Sequence, residues 1–123
     1  MLFPELQLRI WLYLEPTDMR KSYDGLSSLV RTKLGENPAG GQLFVFINRR
    51  RTQVKILYFD GSGYCVWSKR LERGTFHADV SSAQEVKHLL TWGDLKLILD
   101  GIDLKSIRRH KRYRALQRAT VVA

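Results

Sequence analysis

Cysteine is nearly absent from this sequence, with Cys65 as the single thiol among 123 residues. One thiol excludes a disulfide framework within the chain and a zinc site built from four cysteines. No apolar run approaches the roughly 18 residues that are needed to cross a bilayer. Pro4, Glu5 and Arg9 interrupt the amino-terminal apolar stretch, so we expect no signal peptide. These absences predict a soluble protein of a reducing, cytoplasmic compartment.

Acidic residues are missing from the segment 105–123, which carries seven basic residues. A second basic region, residues 42–74, holds seven basic residues against Asp60 and Glu72. The formal net charge of +9 is therefore concentrated in two places. A concentrated positive field attracts polyanions, and nucleic acid is the commonest polyanion in a cytoplasm. Two alternatives stay open for the tail: a solvated segment without a function, and contact with acidic membrane lipid, which is less favoured because the tail lacks a bulky apolar face.

Signals for catalysis are sparse. The three histidines lack metal-ligand spacing with one another. The stretch Gly61-Ser62-Gly63 lacks the strand-to-helix context and the following lysine of a phosphate-binding loop. Aspartates could hold a divalent metal as they do in nucleases, but Asp18, Asp60 and Asp94 all have capping or turn explanations. The sequence therefore predicts no catalytic residue, no metal site and no cofactor.

Residues 43–73 organise the predicted fold. Three runs rich in β-branched and aromatic residues alternate with turn-forming clusters, which is the pattern of an antiparallel meander. The second turn contains two glycines able to adopt positive φ, which favours a tight reversal. The first turn, residues 48–52, carries Arg49, Arg50 and Arg51 at its tip. Because this turn needs none of the three arginines, we predict that they contact nucleic acid.

The apolar positions predict a register for the meander. Tyr64 is placed opposite Phe59, and Val54 is placed opposite Phe46. Since side chains alternate between the two faces of a sheet, one face becomes wholly apolar or aromatic and is predicted to be the core. Its members are Phe44, Phe46, Val54, Ile56, Tyr58, Cys65 and Trp67. The opposite face mixes apolar and basic residues, which suits either a partner or a covering helix.

Flanking segments complete the predicted domain. Residues 7–14 alternate as a strand, and Thr17 or Asp18 can cap a helix that runs to about Lys33 and ends at Gly35. The stretch Thr91-Trp92-Gly93-Asp94 has the form of a capping box before a short helix, with Gly101 as its stop. Residues 82–90 fit either a short helix or a strand.

An ordered series of motifs spans about residues 7–104. Its members are Asp18-Met19-Arg20-Lys21, Tyr23-Asp24-Gly25-Leu26, Phe44-Val45-Phe46, Arg49-Arg50-Arg51, Lys55-Ile56-Leu57-Tyr58, Asp60-Gly61, the run from Trp67 to Gly74, and Leu99-Asp100-Gly101-Ile102-Asp103. The series resembles the small TnpB accessory protein (second-reading-frame type) of bacterial insertion sequences of the sixty-six family. It departs from that pattern at Phe59, where tryptophan is expected, and at Ser68, where an aromatic residue is common. The resemblance implies a protein that is encoded beside a larger transposase, is needed for efficient transposition and has no established chemistry of its own.

Together these observations predict an α+β domain over residues 1–104 and a basic tail over 105–123. The domain is a mainly antiparallel sheet with a three-stranded meander packed on one long helix, plus a short C-terminal helix. The predicted function is that of a non-catalytic transposition accessory that binds element DNA and works with the transposase, without membrane or small-molecule partners. The predicted DNA contacts are Arg49, Arg50, Arg51, Lys55, Lys69, Arg70, Arg73, Arg108, Arg109, Lys111 and Arg112.

Two alternatives stay open at the level of sequence. The first is a protein adaptor that docks on the transposase through an aromatic face of the sheet comprising Leu57, Phe59, Tyr64 and Val66. The second is a metal-dependent nuclease. Salt dependence separates DNA binding from apolar docking, because phosphate contacts weaken steeply with salt. Magnesium-dependent cleavage would identify the nuclease.

Overall fold

A computed structural model describes residues 8–78 and 85–101 of the chain, so the predicted tail lies outside the described residues. Within them the chain is mixed α+β. Its strands are β1 (Ile10–Tyr13), β2 (Leu43–Ile47), β3 (Gln53–Phe59), β4 (Tyr64–Arg70) and β5 (Lys87–Leu90). Its helices are α1 (Tyr23–Leu29), which continues as a π-helical turn over Val30–Leu34, and α2 (Trp92–Leu99). The strands form one sheet in the order β4-β3-β2-β1-β5.

The sheet is mainly antiparallel, as predicted, but it contains one parallel pair. β1 runs parallel to β2, with Ile10 opposite Leu43, whereas β1–β5, β2–β3 and β3–β4 are antiparallel. Parallel neighbours need a crossover connection, which α1 provides. The carboxyl ends of β1 and β2 therefore lie side by side at the same end of the sheet. Residues 87–90, for which the sequence left helix and strand open, form the edge strand beside β1.

The first helix is shorter than predicted at its start. Instead of capping a helix, Asp18 closes a turn, because its Oδ1 accepts a hydrogen bond from the amide of Arg20 at 2.9 Å and its carbonyl accepts one from the amide of Lys21 at 3.1 Å. α1 consequently begins at Tyr23. The predicted stop is confirmed, since Gly35 adopts φ +66° and donates its amide hydrogen to the carbonyl of Val30.

The predicted register is confirmed for one hairpin and wrong by one residue for the other. Phe59 lies opposite Tyr64 in β3–β4, as predicted. In β2–β3, however, Phe46 lies opposite Lys55 rather than Val54. The tip causes the shift, because the amide of Asn48 donates to the carbonyl of Gln53 at 3.1 Å and so makes Ile47 and Val54 the last strand pair. A shift of one residue moves every β2 side chain to the other face relative to β3.

Both faces of the sheet are consequently covered. The cluster on the α1 face consists of Tyr13, Leu26, Val30, Leu34, Phe44, Phe46 and Leu57. The cluster on the α2 face consists of Ile10, Leu12, Leu43, Val45, Ile47, Val54, Ile56, Phe76, Ala78, Leu90, Leu95 and Ile98. β2 is buried at every position because it contributes to both clusters. The sheet is thus the middle layer of the described domain, and α1 covers the face for which the sequence left a partner and a covering helix open.

This layering corrects the proposed adaptor surface. Leu57 is fully buried, and Tyr64 and Val66 pack against the α1-face cluster. Phe59 is half-buried and contacts Tyr64 edge to face, with 5.1 Å between the ring centroids. The aromatic face is therefore occupied by α1, which is the alternative that the sequence left open for it. It does not offer a transposase a free apolar surface.

Trp67 is not in the core, contrary to the prediction. It lies opposite Ile56, as expected, but 42% of its surface is exposed. The reason is its position on β4, an edge strand that contributes no residue to the buried cluster on the α2 face. Phe76, which follows β4, is fully buried in that cluster instead.

The capping box of α2 is confirmed. The Thr91 hydroxyl accepts a hydrogen bond from the amide of Asp94 at 3.0 Å, and the Asp94 carboxylate accepts one from the amide of Thr91 at 3.1 Å. Both bonds satisfy amide groups that a helix start leaves without a partner. The helix then packs Leu95 and Ile98 into the sheet and stops before Gly101, which has φ +71°.

Candidate nucleic-acid interface

Within the hairpin, the side chain of Asn48 organises the β2–β3 turn. Asn48 Oδ1 accepts hydrogen bonds from the amides of Thr52 at 2.8 Å and Gln53 at 3.0 Å, while its Nδ2 donates to the Thr52 hydroxyl at 3.1 Å. The amide of Arg51 also donates to the Asn48 carbonyl at 3.0 Å. This network uses the backbone of the turn and leaves its shape independent of the arginine side chains. Asn and Asp commonly organise turns in this way.

Three exposed arginines occupy the tip of this turn. Arg49, Arg50 and Arg51 are all exposed, and Arg51 adopts a left-handed conformation with φ +55°. Among residues 8–78 and 85–101, no hydrogen bond or ion pair engages any of the three guanidinium groups. Their charges therefore face solvent, where each planar guanidinium presents donors suited to a phosphate group.

The end of β4 and the segment after it bring two further arginines to the same end of the sheet. The amide of Leu71 donates to the carbonyl of Thr52 at 2.8 Å, and the amide of Phe76 donates to the carbonyl of Arg51 at 2.6 Å. Arg70 is the last residue of β4 and Arg73 lies on the segment that follows, and both are exposed. We call the surface formed by the five arginines the arginine end: Arg49, Arg50, Arg51, Arg70 and Arg73.

Two lysines that were predicted with this group are engaged elsewhere. The Lys55 ammonium donates to the carbonyls of Met19 at 2.7 Å and Lys21 at 2.8 Å, so it fastens the turn before α1 to β3. The Lys69 ammonium donates to the carbonyl of Leu99 at 2.7 Å, at the end of α2. The two side chains lie on opposite faces of the sheet, because Lys69 pairs with Val54, the residue before Lys55. We therefore leave both out of the candidate interface.

Gly101, the last described residue, lies beside the segment that follows β4. A Cβ placed on Gly101 would lie 3.4 Å from Leu71 Cδ1 and 3.9 Å from the carbonyl oxygen of Thr75, so the last described residue touches the segment that follows β4. The other predicted contacts fall beyond it, outside the described residues: Arg108, Arg109, Lys111 and Arg112.

Two basic residues outside the arginine end are paired with nearby carboxylates. Arg20 forms an ion pair with Asp18 at 2.6 Å, and this hydrogen-bonded contact lowers the pKa of the Asp18 carboxyl to about 2. Lys87 contacts the Glu36 carboxylate at 2.6 Å and lies 4.5 Å from the centre of the Trp11 ring. The hydrogen bond from Lys87 lowers the pKa of Glu36 although partial burial opposes the change. The charges of Arg20 and Lys87 are thus balanced by carboxylates in the connections on either side of α1.

Two other kinds of site are absent from the described residues. Across the described ranges, no group of three or more histidine, cysteine, aspartate or glutamate residues is placed to hold a metal ion. No helix in the same ranges is long and apolar enough to cross a membrane.

The fold and the arginine end define a small basic α+β domain with a covered sheet and a cluster of exposed arginines. A family model described as IS66 Orf2 like protein matches residues 8–109, and the chain belongs to this family. The match confirms the resemblance that the sequence motifs carried and supports an accessory role in insertion-sequence transposition.

Two curated relatives come from Sinorhizobium fredii (strain NBRC 101917 / NGR234). The uncharacterized protein y4hO is 36% identical over 96 residues, which cover 78% of this chain and 82% of that protein. The uncharacterized protein y4jC is 38% identical over 76 residues, which cover 62% of this chain and 65% of that protein. No solved structure matches the chain.

Proposed function

We propose that this protein is a non-catalytic accessory of insertion-sequence transposition that holds element DNA on its arginine end. The family supplies the insertion-sequence context. DNA binding is supported by one observation. Five exposed arginines from two separate segments lie together at one end of the sheet. Glu72 is the single acid within residues 48–52 and 70–73, so the surface has a large local excess of positive charge.

The chemistry of the arginine end favours a phosphate backbone over a small anion. Its guanidinium groups are exposed and spread over two segments, as is needed to contact several phosphates in succession. Phosphate contacts position a protein on DNA without reading its sequence. We therefore propose that the arginine end supplies affinity and orientation, and that strand transfer belongs to the element's transposase. We propose that the basic tail extends this contact along the duplex.

A salt titration tests the proposal. The full-length protein is added to a labelled duplex from an element end and to a scrambled duplex of equal length, each at several salt concentrations. We expect log affinity to fall with log salt by about 0.9 per phosphate contact, with similar slopes on both duplexes. Absence of binding, or binding that salt does not weaken, would refute the DNA-binding role. Cleavage of either duplex in the presence of magnesium would refute the non-catalytic role.

A further inference from the structure

A cavity of about 240 Å³ opens beside the β2–β3 turn. It lies at the carboxyl ends of the parallel strands β1 and β2. Its apolar lining includes Leu12, Ile47 and Ala78, all of which are buried. Its polar lining includes Glu15, Arg49 and Arg51, all of which are exposed.

The size of the cavity restricts its ligand. An engineered protein cavity of about 150 Å³ accepts benzene, so about 240 Å³ leaves room for one substituted or fused aromatic ring. Pockets for larger organic ligands begin near 300 Å³. The apolar lining suits the face of a flat ring, and the exposed arginines Arg49 and Arg51 in the lining suit phosphates attached to it. A nucleotide combines these two features in one molecule.

We propose that this cavity receives one unpaired base of the DNA held by the arginine end. The inference rests on the proposed function and adds a binding site to it. The base inserts toward Ile47 and Ala78, while Arg49 and Arg51 contact the phosphates on either side. An already unpaired base is the favoured ligand, because removing a paired base from the stack costs free energy.

Glu15 is the group placed to read the base. Its Oε2 accepts a hydrogen bond from the Tyr13 hydroxyl at 3.1 Å, which fixes the carboxylate beside the cavity. Burial of Tyr13, followed by this hydrogen bond, raises the pKa of the phenol, so Tyr13 stays a donor. A carboxylate accepts hydrogen bonds from amino groups on base edges. Asn48 also lines the cavity, but its amide already bonds to Thr52 and Gln53 within the turn.

Three labelled duplexes of one sequence test this inference with the full-length protein. The first is fully paired, the second carries one extra unpaired nucleotide, and the third carries an abasic sugar-phosphate in place of that nucleotide. The second and third differ only by the base. We expect the protein to bind the unpaired-base duplex about tenfold more tightly than the abasic duplex, as expected for one base stacked on a protein surface. Equal affinity for these two duplexes would overturn the inference.

Two variants locate the effect in the cavity. Ala78→Leu fills the floor, and we expect it to remove the preference for the base while the abasic affinity and the salt slope stay unchanged. Since Ala78 is buried, this variant is compared only after its melting transition shows that it is folded. Glu15→Gln is an exposed change that keeps an acceptor for Tyr13. We expect it to reduce the preference several-fold for bases that carry an amino group.

The outcomes separate the two proposals. If a folded Ala78→Leu variant and Glu15→Gln both keep the full preference for the unpaired base, the cavity is not the site and the inference is overturned. If no duplex shows salt-sensitive binding, the proposed function fails and the inference fails with it. If all duplexes bind with equal salt-sensitive affinity, the proposed function stands and the inference alone is overturned.

Discussion

The backbone carbonyl of Arg51 accepts a hydrogen bond from the amide of Phe76 at 2.6 Å. This bond ties the tip of the β2–β3 turn to a residue whose ring is fully buried in the cluster on the α2 face. The turn is therefore anchored on both sides, by Asn48 within the hairpin and by Phe76 from the segment after β4. Such anchoring holds Arg51 at φ +55°, a conformation that residues other than glycine rarely adopt.

Two substitutions at Arg51 test this strain. Arg51→Gly removes the steric cost of about 1 kcal/mol that a side chain has in the left-handed conformation. Glycine, however, loses more conformational entropy on folding, by a similar amount. We therefore expect the free energy of unfolding to change by less than about 0.5 kcal/mol. Arg51→Val places a β-branched residue in the same conformation and should cost more than about 1 kcal/mol. Urea denaturation measures both. Equal stabilities for the two variants would show that the turn relaxes to another conformation.

Phe76 and Trp67 form a matched pair of aromatic residues that tests the layering of the sheet. Phe76 is fully buried, so Phe76→Ala should lower the free energy of unfolding by about 3 to 5 kcal/mol. Trp67 is 42% exposed on an edge strand, so Trp67→Ala should cost less than about 2 kcal/mol. Thermal or urea denaturation gives both values. If Trp67→Ala lowered the free energy of unfolding more than Phe76→Ala does, Trp67 would have to be a core residue, which contradicts this layering of the sheet.

Lys55 is predicted to stabilise the fold rather than bind DNA. Its ammonium donates to the carbonyls of Met19 and Lys21, and charged hydrogen bonds each contribute about 1.5 to 3 kcal/mol when well shielded. Because the side chain is only half-buried, we expect Lys55→Met to cost about 1 to 2 kcal/mol. The slope of DNA affinity against salt should stay unchanged. Arg70→Met is the control. We expect it to change stability little and to reduce the slope of DNA affinity against salt.

The Lys87–Glu36 pair predicts a dependence of stability on pH. The hydrogen bond from Lys87 lowers the pKa of Glu36 below its ordinary value of 4.5 in the folded protein. The contribution of ionised Glu36 to stability is therefore complete above the pKa that this carboxyl has in the unfolded chain. It is lost as the pH falls through the lower pKa that Glu36 has in the folded protein. Lys87→Met should lower the free energy of unfolding at pH 7 by about 1 to 2 kcal/mol. It should also make the free energy of unfolding fall less steeply as the pH drops below about 4.5. Parallel stability curves for the two proteins would contradict this assignment.

Local signals in the sequence predicted several elements correctly. The Asp60–Gly63 reversal determined the β3–β4 register, because Asp60 Oδ1 accepts hydrogen bonds from the amides of Ser62 and Gly63. The capping box at Thr91 and the stop at Gly35 depend on neighbours within a few residues. Such contacts are visible in a single sequence because both partners lie in the same short window.

Non-local features could not be predicted in the same way. The parallel pairing of β1 with β2 joins segments about thirty residues apart and leaves no mark in the alternation of either strand. The β2–β3 register depended on how the side chain of Asn48 closes the tip. The roles of Lys55 and Lys69 depended on distant backbone carbonyls, which composition does not reveal. The arginine tip was identifiable because charge at a turn is a local feature.

The most direct test of the account compares two triple variants that lose the same charge. One changes the turn arginines, Arg49, Arg50 and Arg51, to alanine. The control changes exposed basic residues on the helices to alanine: Arg31, Lys33 and Lys96. Both are titrated with labelled element-end DNA over a series of salt concentrations. The arginine-end account predicts that the turn variant loses affinity and that its log–log salt slope falls by up to about 3, while the control keeps a slope close to that of the wild type. Equal slopes for the turn variant and the wild-type protein would contradict it.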